Sequence, residues 1–273
     1  MTQQPIILMC VGAAKAGTSW LFDQLAGHPQ CHLRGIKELH YFDTAHHGQW
    51  AAETQRIERR VLRSRGALLA DLVDWLAVLQ RGRLSLRAYL DYLTAGRGDK
   101  RVVADFTPSY SLLPQRILSR LFALGQVKML YLLRDPVERL WSHVRMDAQR
   151  MSRSAADAAR MFGRALNGRG AAIQRSDYAQ SLSRLDAAAP KDALMVGFYE
   201  ELMTPGMMDR LARFLGISPI RAEYDVRVHE GQAMVLPSDL RARAIEVLRP
   251  QYEFVARRMG SLPRAWCAQM TEV

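Results

Sequence analysis

Two glycines, a lysine and two hydroxyl residues lie close together near the start of the chain. The stretch reads GAAKAGTS and begins at Gly12. The glycines allow a tight turn that aims backbone N–H groups inward, and a following helix adds its positive N-terminal end. Lys15 can reach over a bound group, while Thr18 and Ser19 add hydroxyl donors. The pattern predicts a phosphate-binding loop, and the alternative is an ordinary tight turn with a solvated lysine.

The lysine of this loop is not where a nucleoside triphosphate loop places it. In that loop the lysine follows the last glycine, as in G-x-x-x-x-G-K-[ST]. Here Lys15 comes two residues before Gly17. The loop therefore either binds a different phosphate compound or is a degenerate triphosphate loop.

A second anion-binding pattern, RDPVERLWSH, starts at Arg134. It follows the strongest predicted strand, so Arg134 is expected at the carboxyl end of a parallel strand, where ligands bind in such sheets. Asp135 is a plausible N-cap, Pro136 suits the first helical position, and Glu138 would complete a capping box. Ser142 falls two turns into the helix, and an arginine with a hydroxyl forms a good anion receptor. The alternative is that Arg134 bonds to Glu138 or to a helix end.

A third stretch, KELHYFD, begins at Lys37 and places titratable groups among aromatic ones. Glu38, His40 and Asp43 are candidate bases. If the stretch is extended, Glu38 and His40 share one side while Lys37 and Asp43 point elsewhere. The alternative is a solvated ion pair between Lys37 and Glu38.

The elements around these motifs alternate between strand and helix, which predicts a parallel sheet with right-handed crossovers. Short apolar runs predict strands at 5–12, 101–106, 127–133 and 193–199. Helical spacing predicts helices at 18–26, 114–124, 137–151, 178–188, 207–215 and 238–259, the last with Ser238 as N-cap. Residues 46–98 are predicted to be inserted helices within a single domain spanning 1–273. Residues 152–176 and the stretch from Arg221 are expected to form loops or short helices.

The chain is strongly basic, with a net charge of +11. Such a chain favours acidic partners: nucleotide phosphates, nucleic acid, anionic sugars or an anionic membrane surface. No helix-turn-helix or stripe of basic and aromatic residues supports nucleic acid. Cys10, Cys31 and Cys267 match no metal or disulfide spacing, and the sequence shows no signal peptide or membrane-spanning run. We therefore expect a cytoplasmic protein without a metal, for which peripheral membrane contact stays open.

Together, in this order and spacing, the motifs resemble the sulfotransferases that use 3'-phosphoadenosine 5'-phosphosulfate (PAPS). The resemblance is strongest to the carbohydrate O- and N-sulfotransferases of the heparan sulfate type and covers about residues 5–215. It rests on G-x-x-K-x-G-T from Gly12, KELHYFD, DFTPSY from Asp105, RDPVERLWSH, and the segments that begin at Tyr178 and Tyr199.

The resemblance implies a P-loop-like three-layer α/β fold with a central parallel sheet, and transfer of a sulfuryl group from PAPS to an acceptor hydroxyl. The acceptor would be a sugar, a lipid headgroup or a small metabolite, and the product nucleotide 3'-phosphoadenosine 5'-phosphate (PAP). Glu38 would be the general base, with His40 as the alternative, and Lys15 would stabilise the leaving group. Arg134 and Ser142 would hold the 3'-phosphate. The 5'-phosphate would be held by Ala14, Lys15, Ala16, Gly17, Thr18 and Ser19.

Two positions depart from the family pattern. Carbohydrate members commonly have a lysine where this chain has Phe106, and the loop that covers the nucleotide is matched only weakly by residues 227–232. Two other functions remain open: a P-loop kinase or NTPase that uses Mg²⁺ and a triphosphate, and a nucleotide-sensing or nucleic-acid-binding protein without chemistry.

Overall fold

A five-stranded parallel sheet forms the centre of the molecule. The computed structural model describes residues 4–168, 170–225 and 234–271. In spatial order the strands are β2 (Cys31–His32), β3 (Val102–Phe106), β1 (Ile6–Gly12), β4 (Gln126–Leu133) and β5 (Leu194–Phe198). Every neighbouring pair is parallel. The predicted α/β fold with a central parallel sheet is confirmed.

The central strands are apolar because both of their faces are covered. All seven residues of β1 and all five of β3 are buried. Parallel strands covered by helices on both faces have such continuous apolar runs, which is why they could be predicted from the sequence. The carboxyl ends of β1, β3 and β4 lie side by side, and the three motifs follow from this edge or pack against it.

Helices connect and flank the strands. Between β1 and β3 lie α1 (Thr18–Ala26), α2 (Tyr41–His47), α3 (Trp50–Val61), α4 (Gly66–Leu79) and α5 (Leu86–Thr94). Between β3 and β5 lie a short 3₁₀ helix (Pro108–Leu112), α6 (Gln115–Leu121), a 3₁₀ turn (Phe122–Leu124), α7 (Pro136–Arg150), α8 (Ala155–Leu166), α9 (Ala171–Gln174) and α10 (Tyr178–Ala188). After β5 come α11 (Tyr199–Leu202), α12 (Pro205–Leu215), α13 (Ser238–Met259) and α14 (Arg264–Thr271).

Several details differ from the sequence-based prediction. The two-residue β2 and the C-terminal α14 were not predicted, and the first is too short to show any periodicity. Ser238 is the first residue of α13 rather than its N-cap, since Pro237 occupies the cap position and no side chain caps that end. Among the helices that the structure describes, none is long and apolar enough to cross a membrane.

A buried arginine joins the inserted helices to the segment that leads to KELHYFD. Arg34 Nη2 lies 2.7 Å from Asp71 Oδ1 and 2.5 Å from Asp74 Oδ2, both on α4. Its guanidinium also stacks over the ring of Tyr92 on α5, 4.4 Å from the centroid. Asp71 additionally accepts a bond from the backbone N–H of Gly35. Arg34 is buried while Asp74 is more than half exposed, so the cluster connects α4 and α5 to the loop through this one buried side chain.

Candidate active site

The glycine-containing loop leaves the end of β1 and leads directly into α1. Gly17 has a φ of 80°, and a Cβ there would lie 2.5 Å from Cδ2 of Leu202. Only glycine fits both this backbone conformation and this close approach. Thr18 and Ser19 lie in the first turn of α1, where N–H groups have no partner inside the helix. The N–H of Ala16 donates to Ala13 O at 3.1 Å, which occupies one of the six amides predicted to hold phosphate.

Lys15 lies on this loop in an electropositive surrounding. Its Nζ is 3.5 Å from Sδ of Met146, on α7. Burial lowers the pKa of Lys15, and the nearby charges of Arg134 and Arg150 lower it further. Within 4–168, 170–225 and 234–271, no carboxylate forms an ion pair with Lys15. A lysine held among cations without a counter-charge is suited to bind an anion.

Arg134 lies at the carboxyl end of β4, as predicted, and contacts the loop directly. Its Nη1 donates to Lys15 O at 2.9 Å, and its guanidinium stacks 4.6 Å from the ring centroid of Tyr199. The Tyr178 hydroxyl donates to Arg134 O at 2.5 Å. Both tyrosines begin segments that the sequence singled out. The alternative partner, Glu138, instead pairs with Arg241 at 2.8 Å.

The helix after Arg134 is capped, although not by the predicted capping box. Asp135 Oδ1 accepts from the N–H groups of Val137 and Glu138 at 3.0 and 2.9 Å, which confirms Asp135 as the N-cap. The reciprocal bond, however, goes from the Asp135 N–H to Glu200 Oε1 at 3.0 Å. The capping-box prediction is therefore wrong, because Glu200 takes the place of Glu138. Burial raises the pKa of Asp135 to about 6.

The site-facing part of α7 contains a buried cation that sequence reasoning missed. Arg139 is fully buried and donates to Ser176 Oγ at 2.7 Å and to Ala172 O at 2.5 Å, while its Nη1 has no hydrogen-bond partner. Burial and the charges of Arg139 and Arg175 lower the pKa of His143 to about 3, so His143 is neutral. Ser142 is half-buried on the second turn of the same helix. Burial of an arginine in the RDPVER run had no signal in the sequence.

KELHYFD is not extended. Glu38 and His40 have φ values of 66° and 54°, in the left-handed region. Lys37 Nζ lies 3.0 Å from Glu38 Oε1, Glu38 Oε2 lies 3.5 Å from His40 Nε2, and His40 Nδ1 lies 2.7 Å from Asp43 Oδ2. The prediction that Lys37 and Asp43 point elsewhere is therefore wrong. The four side chains form one chain of alternating charge.

The charges of these four side chains give the two candidate bases, Glu38 and His40, different protonation states. Burial alone would raise the pKa of Glu38, but the hydrogen bond with His40 and the charge of Lys37 lower it to about 2. Burial would likewise lower the pKa of His40, but hydrogen bonds with Asp43 and Glu38 raise it to about 9. At neutral pH His40 is thus protonated and cannot accept a proton, whereas Glu38 is ionised and can.

The DFTPSY segment holds this loop in its unusual conformation. Thr107 Oγ1 accepts from Leu39 N and the Tyr110 hydroxyl accepts from Tyr41 N, both at 3.0 Å. Phe106 O accepts from Glu38 N at 3.1 Å. Three backbone N–H groups of the loop are therefore bonded to residues more than 60 positions later in the chain.

A buried carboxylate orients these donors and acceptors. Asp105, at 1% exposure, accepts from the hydroxyl groups of Thr107 at 2.6 Å, Tyr110 at 3.0 Å and Tyr89 at 2.8 Å. Burial raises the pKa of Asp105. Tyr89 belongs to α5, so the inserted helices also contact this network. Phe106, in place of the family lysine, is buried and packs edge-on against Phe22, with ring centroids 5.5 Å apart.

Two other expectations concern the loop that covers the nucleotide and a metal site. Residues 227–232, the weakly matched covering loop, lie outside the described residues. Across the described ranges there is no group of three or more His, Cys, Asp and Glu side chains that could hold a metal ion.

Comparisons with known proteins bear on the fold and the family of this chain. Three solved structures share the fold: a sulfotransferase from Alicyclobacillus acidocaldarius (20% identity, TM-score 0.65, covering 97% of this chain and 99% of that one); the sulfotransferase domain of the Synechococcus PCC 7002 olefin synthase (18%, 0.53, 90% and 93%); and the sulfotransferase domain from the curacin biosynthetic pathway (18%, 0.56, 96% and 100%). A search of curated protein sequences finds no significant match. The model of the sulfotransferase family matches residues 5–220, which include all three motifs. The chain therefore belongs to the sulfotransferase family.

Proposed function

We propose that this sulfotransferase uses PAPS as donor and transfers the sulfuryl group to an acceptor hydroxyl. The observation that carries the proposal is the cluster at the carboxyl ends of β1 and β4. There Lys15 and Arg134 contact each other, and Lys15 has no ion-pair partner within the described residues. The neighbouring Arg139 adds a buried positive charge with an unpartnered Nη1. A nucleotide with phosphates at both its 5' and 3' positions would supply the missing negative charge.

The residues of the loop would hold the 5' side of such a donor. The first turn of α1 directly follows the loop. Its N–H groups and the hydroxyls of Thr18 and Ser19 would bind the anion at this N-terminal end of the helix. Arg134 and Ser142 would hold the 3'-phosphate. Arg134 is preorganised for this role because Tyr199 and Lys15 O already fix its plane.

PAPS would supply the sulfuryl group, and the side chains of this chain would act at the two ends of the displacement. Lys15 would neutralise charge on the leaving phosphate. Glu38 would accept the proton of the acceptor hydroxyl. Its depressed pKa makes it a weak base until the acceptor displaces Lys37 or His40 from its oxygens.

The motifs favour a hydroxyl acceptor of a sugar, lipid headgroup or small metabolite, because their resemblance is strongest to carbohydrate sulfotransferases of the heparan sulfate type. Phe106 argues for a different contact near the reacting group, since no cation stands at that position. The three free cysteines, Cys10, Cys31 and Cys267, fit a reducing compartment such as the cytoplasm. The kinase alternative, which needs Mg²⁺ and a triphosphate, is not favoured by the family assignment.

Thermal unfolding with PAP and with ATP tests the donor. A ligand that binds only the native state raises the melting temperature by mass action. We expect PAP to raise it in the presence of EDTA, and ATP with Mg²⁺ to raise it less. If EDTA abolishes the rise in melting temperature with PAP, or if ATP with Mg²⁺ gives a larger rise, the result would favour the kinase alternative. Labelled PAPS incubated with sugars, lipids and small alcohols would then identify the acceptor class.

A further inference from the structure

Apolar side chains are unusually exposed on the inserted helices. Among the described residues, seven large apolar side chains are the most exposed, and four of them lie between positions 62 and 84. These are Leu62 at 79%, Leu68 at 36%, Val73 at 48% and Leu84 at 50%. The other three are scattered over distant parts of the chain.

The outward side of α4 is apolar along most of its length. Ala67, Ala70, Val73 and Ala77 are exposed at helical spacing, opposite the buried Leu72, Trp75 and Leu79. Asp74 is the charged residue on this side, and its carboxylate is paired with Arg34. Surface helices ordinarily place polar residues outward. Here both sides of the helix are suited to contact apolar groups.

Arginines precede and follow this helix in the sequence. Residues 59–87 contain seven arginines and two acidic residues, Asp71 and Asp74, and Arg34 pairs with both acids. Six of these arginines are exposed, namely Arg59, Arg63, Arg65, Arg81, Arg83 and Arg87. Arg87 pairs with Asp91 on α5, and the other five lie before α4 or just after it. We call these five arginines, together with Leu62, Ala70, Val73, Ala77 and Leu84, the α4 face.

We propose that the α4 face docks on the surface of an anionic lipid bilayer. Leucine and valine side chains would enter the boundary between headgroups and acyl chains, while the arginines at both ends would contact lipid phosphates. A second copy of the chain fits this face less well, because a two-fold interface would place two surfaces of the same positive charge against each other. The proposal goes beyond sulfuryl transfer and does not depend on it.

Docking here would also bring the acceptor side of the site near the bilayer. Asp71 on α4 bonds to the N–H of Gly35, which lies two residues before Lys37. The face is thus fixed to the segment that leads to Glu38, with Arg34 as the connecting side chain. An acceptor anchored in the membrane would then reach the site from the side on which the protein is held.

Vesicle binding tests the proposal without any substrate. The full chain would be sedimented with vesicles of phosphatidylcholine alone or of phosphatidylcholine with phosphatidylglycerol. We expect binding to the anionic vesicles that weakens with salt, and little binding to the neutral ones. A triple variant, Arg63→Gln, Arg81→Gln and Arg83→Gln, should bind roughly 100-fold more weakly, at about fivefold per arginine. The double variant Leu62→Gln, Val73→Gln should lose on the order of tenfold.

Matched controls distinguish the effect of the α4 face on vesicle binding from the effect of the net charge of the protein. The triple variant Arg116→Gln, Arg120→Gln and Arg213→Gln removes the same charge from exposed positions on α6 and α12. Val247→Gln on α13 is the apolar control. Both controls should bind as the wild type does, and melting temperatures should show that all variants fold. No binding by the wild type, or equal loss in the control triple variant, would overturn the proposal. So would a dimer in light scattering that Val73→Gln dissociates while vesicle binding is absent.

Discussion

Glu38 and His40 are linked by an ion pair, yet their substitution should slow the chemical step to different extents. Glu38→Gln keeps the shape of the side chain but removes the proton acceptor, which typically costs roughly 10²–10⁴-fold in rate. His40→Asn removes a cation that lowers the basicity of Glu38. We expect single-turnover rates to fall strongly in the first variant and much less in the second, with PAP affinity near wild type in both. A large loss in His40→Asn beside near-normal chemistry in Glu38→Gln would assign the base to His40.

The raised pKa of His40 predicts how stability depends on pH. Its value of about 9 in the folded protein exceeds the ordinary 6.5, so its protonated form stabilises the folded state. That contribution is fully present below about pH 6.5 and is lost as the pH rises through 9. We therefore expect the difference in melting temperature between wild type and His40→Asn to shrink between these values. Since other groups titrate in both proteins, only the difference is informative, and a constant difference would contradict the assignment.

Arg134 is proposed to hold the 3'-phosphate, so its removal should affect nucleotides with and without that phosphate unequally. Losing a buried charged contact to a phosphate costs about 2–5 kcal/mol. Arg134→Ala should therefore weaken PAP strongly, and adenosine 5'-phosphosulfate, which lacks the 3'-phosphate, much less. The bond from Arg134 Nη1 to Lys15 O means that some loss is expected for both. Calorimetric titration of the two nucleotides measures the ratio, and an equal loss would assign Arg134 to the loop alone.

At the scale of elements, the loop that carries Glu38 depends on the element after β3. Tyr110→Phe removes the hydroxyl that donates to Asp105 and accepts from Tyr41 N. Leaving buried polar groups without partners costs about 1–3 kcal/mol. We expect a clearly lower melting temperature and slower turnover, because the backbone of KELHYFD loses one of its three anchors.

Tyr92→Phe is the matched control for this change. Tyr92 is also buried, but its hydroxyl has no hydrogen-bond partner. The same atom is removed there without breaking a bond, so stability should change little. Chemical denaturation of both variants gives the comparison, and equal losses would show that the Asp105 network contributes nothing.

The same elements show what can be predicted from sequence. The strands β1, β3 and β4 were predictable because their apolar runs are a local property, and the end of β4 placed Arg134 correctly. The conformation of Glu38 and His40 was not predictable, because it depends on hydrogen bonds that Leu39 N and Tyr41 N donate to the distant Thr107 and Tyr110. Similarly, the N–H of Asp135 at the start of α7 donates to Glu200, 65 positions later, and not to Glu138 as predicted. Spacing identified the candidate residues, but their partners depend on tertiary contacts.

At the scale of the whole molecule, basic side chains occur at both surfaces where ligands are proposed to bind. Lys15 and Arg134 lie at the carboxyl ends of β1 and β4, and the arginines of the α4 face precede and follow that helix. Sequence composition predicted acidic partners but could not separate these two surfaces. The single domain predicted for residues 1–273 stays a prediction.

The order of the strands also governs how the protein can be made. β1 is central and wholly apolar, and its partners are far along the chain: Ile6 pairs with Val102 and with Gln126. At roughly 5–20 residues per second, a ribosome needs roughly 6–24 s to add the residues that complete these pairs. Until then the nascent chain carries an apolar strand that lacks one or both of its partners, which is the kind of segment that chaperones bind and that aggregates without them. Efficient production of this enzyme should therefore depend on what shields β1 during translation.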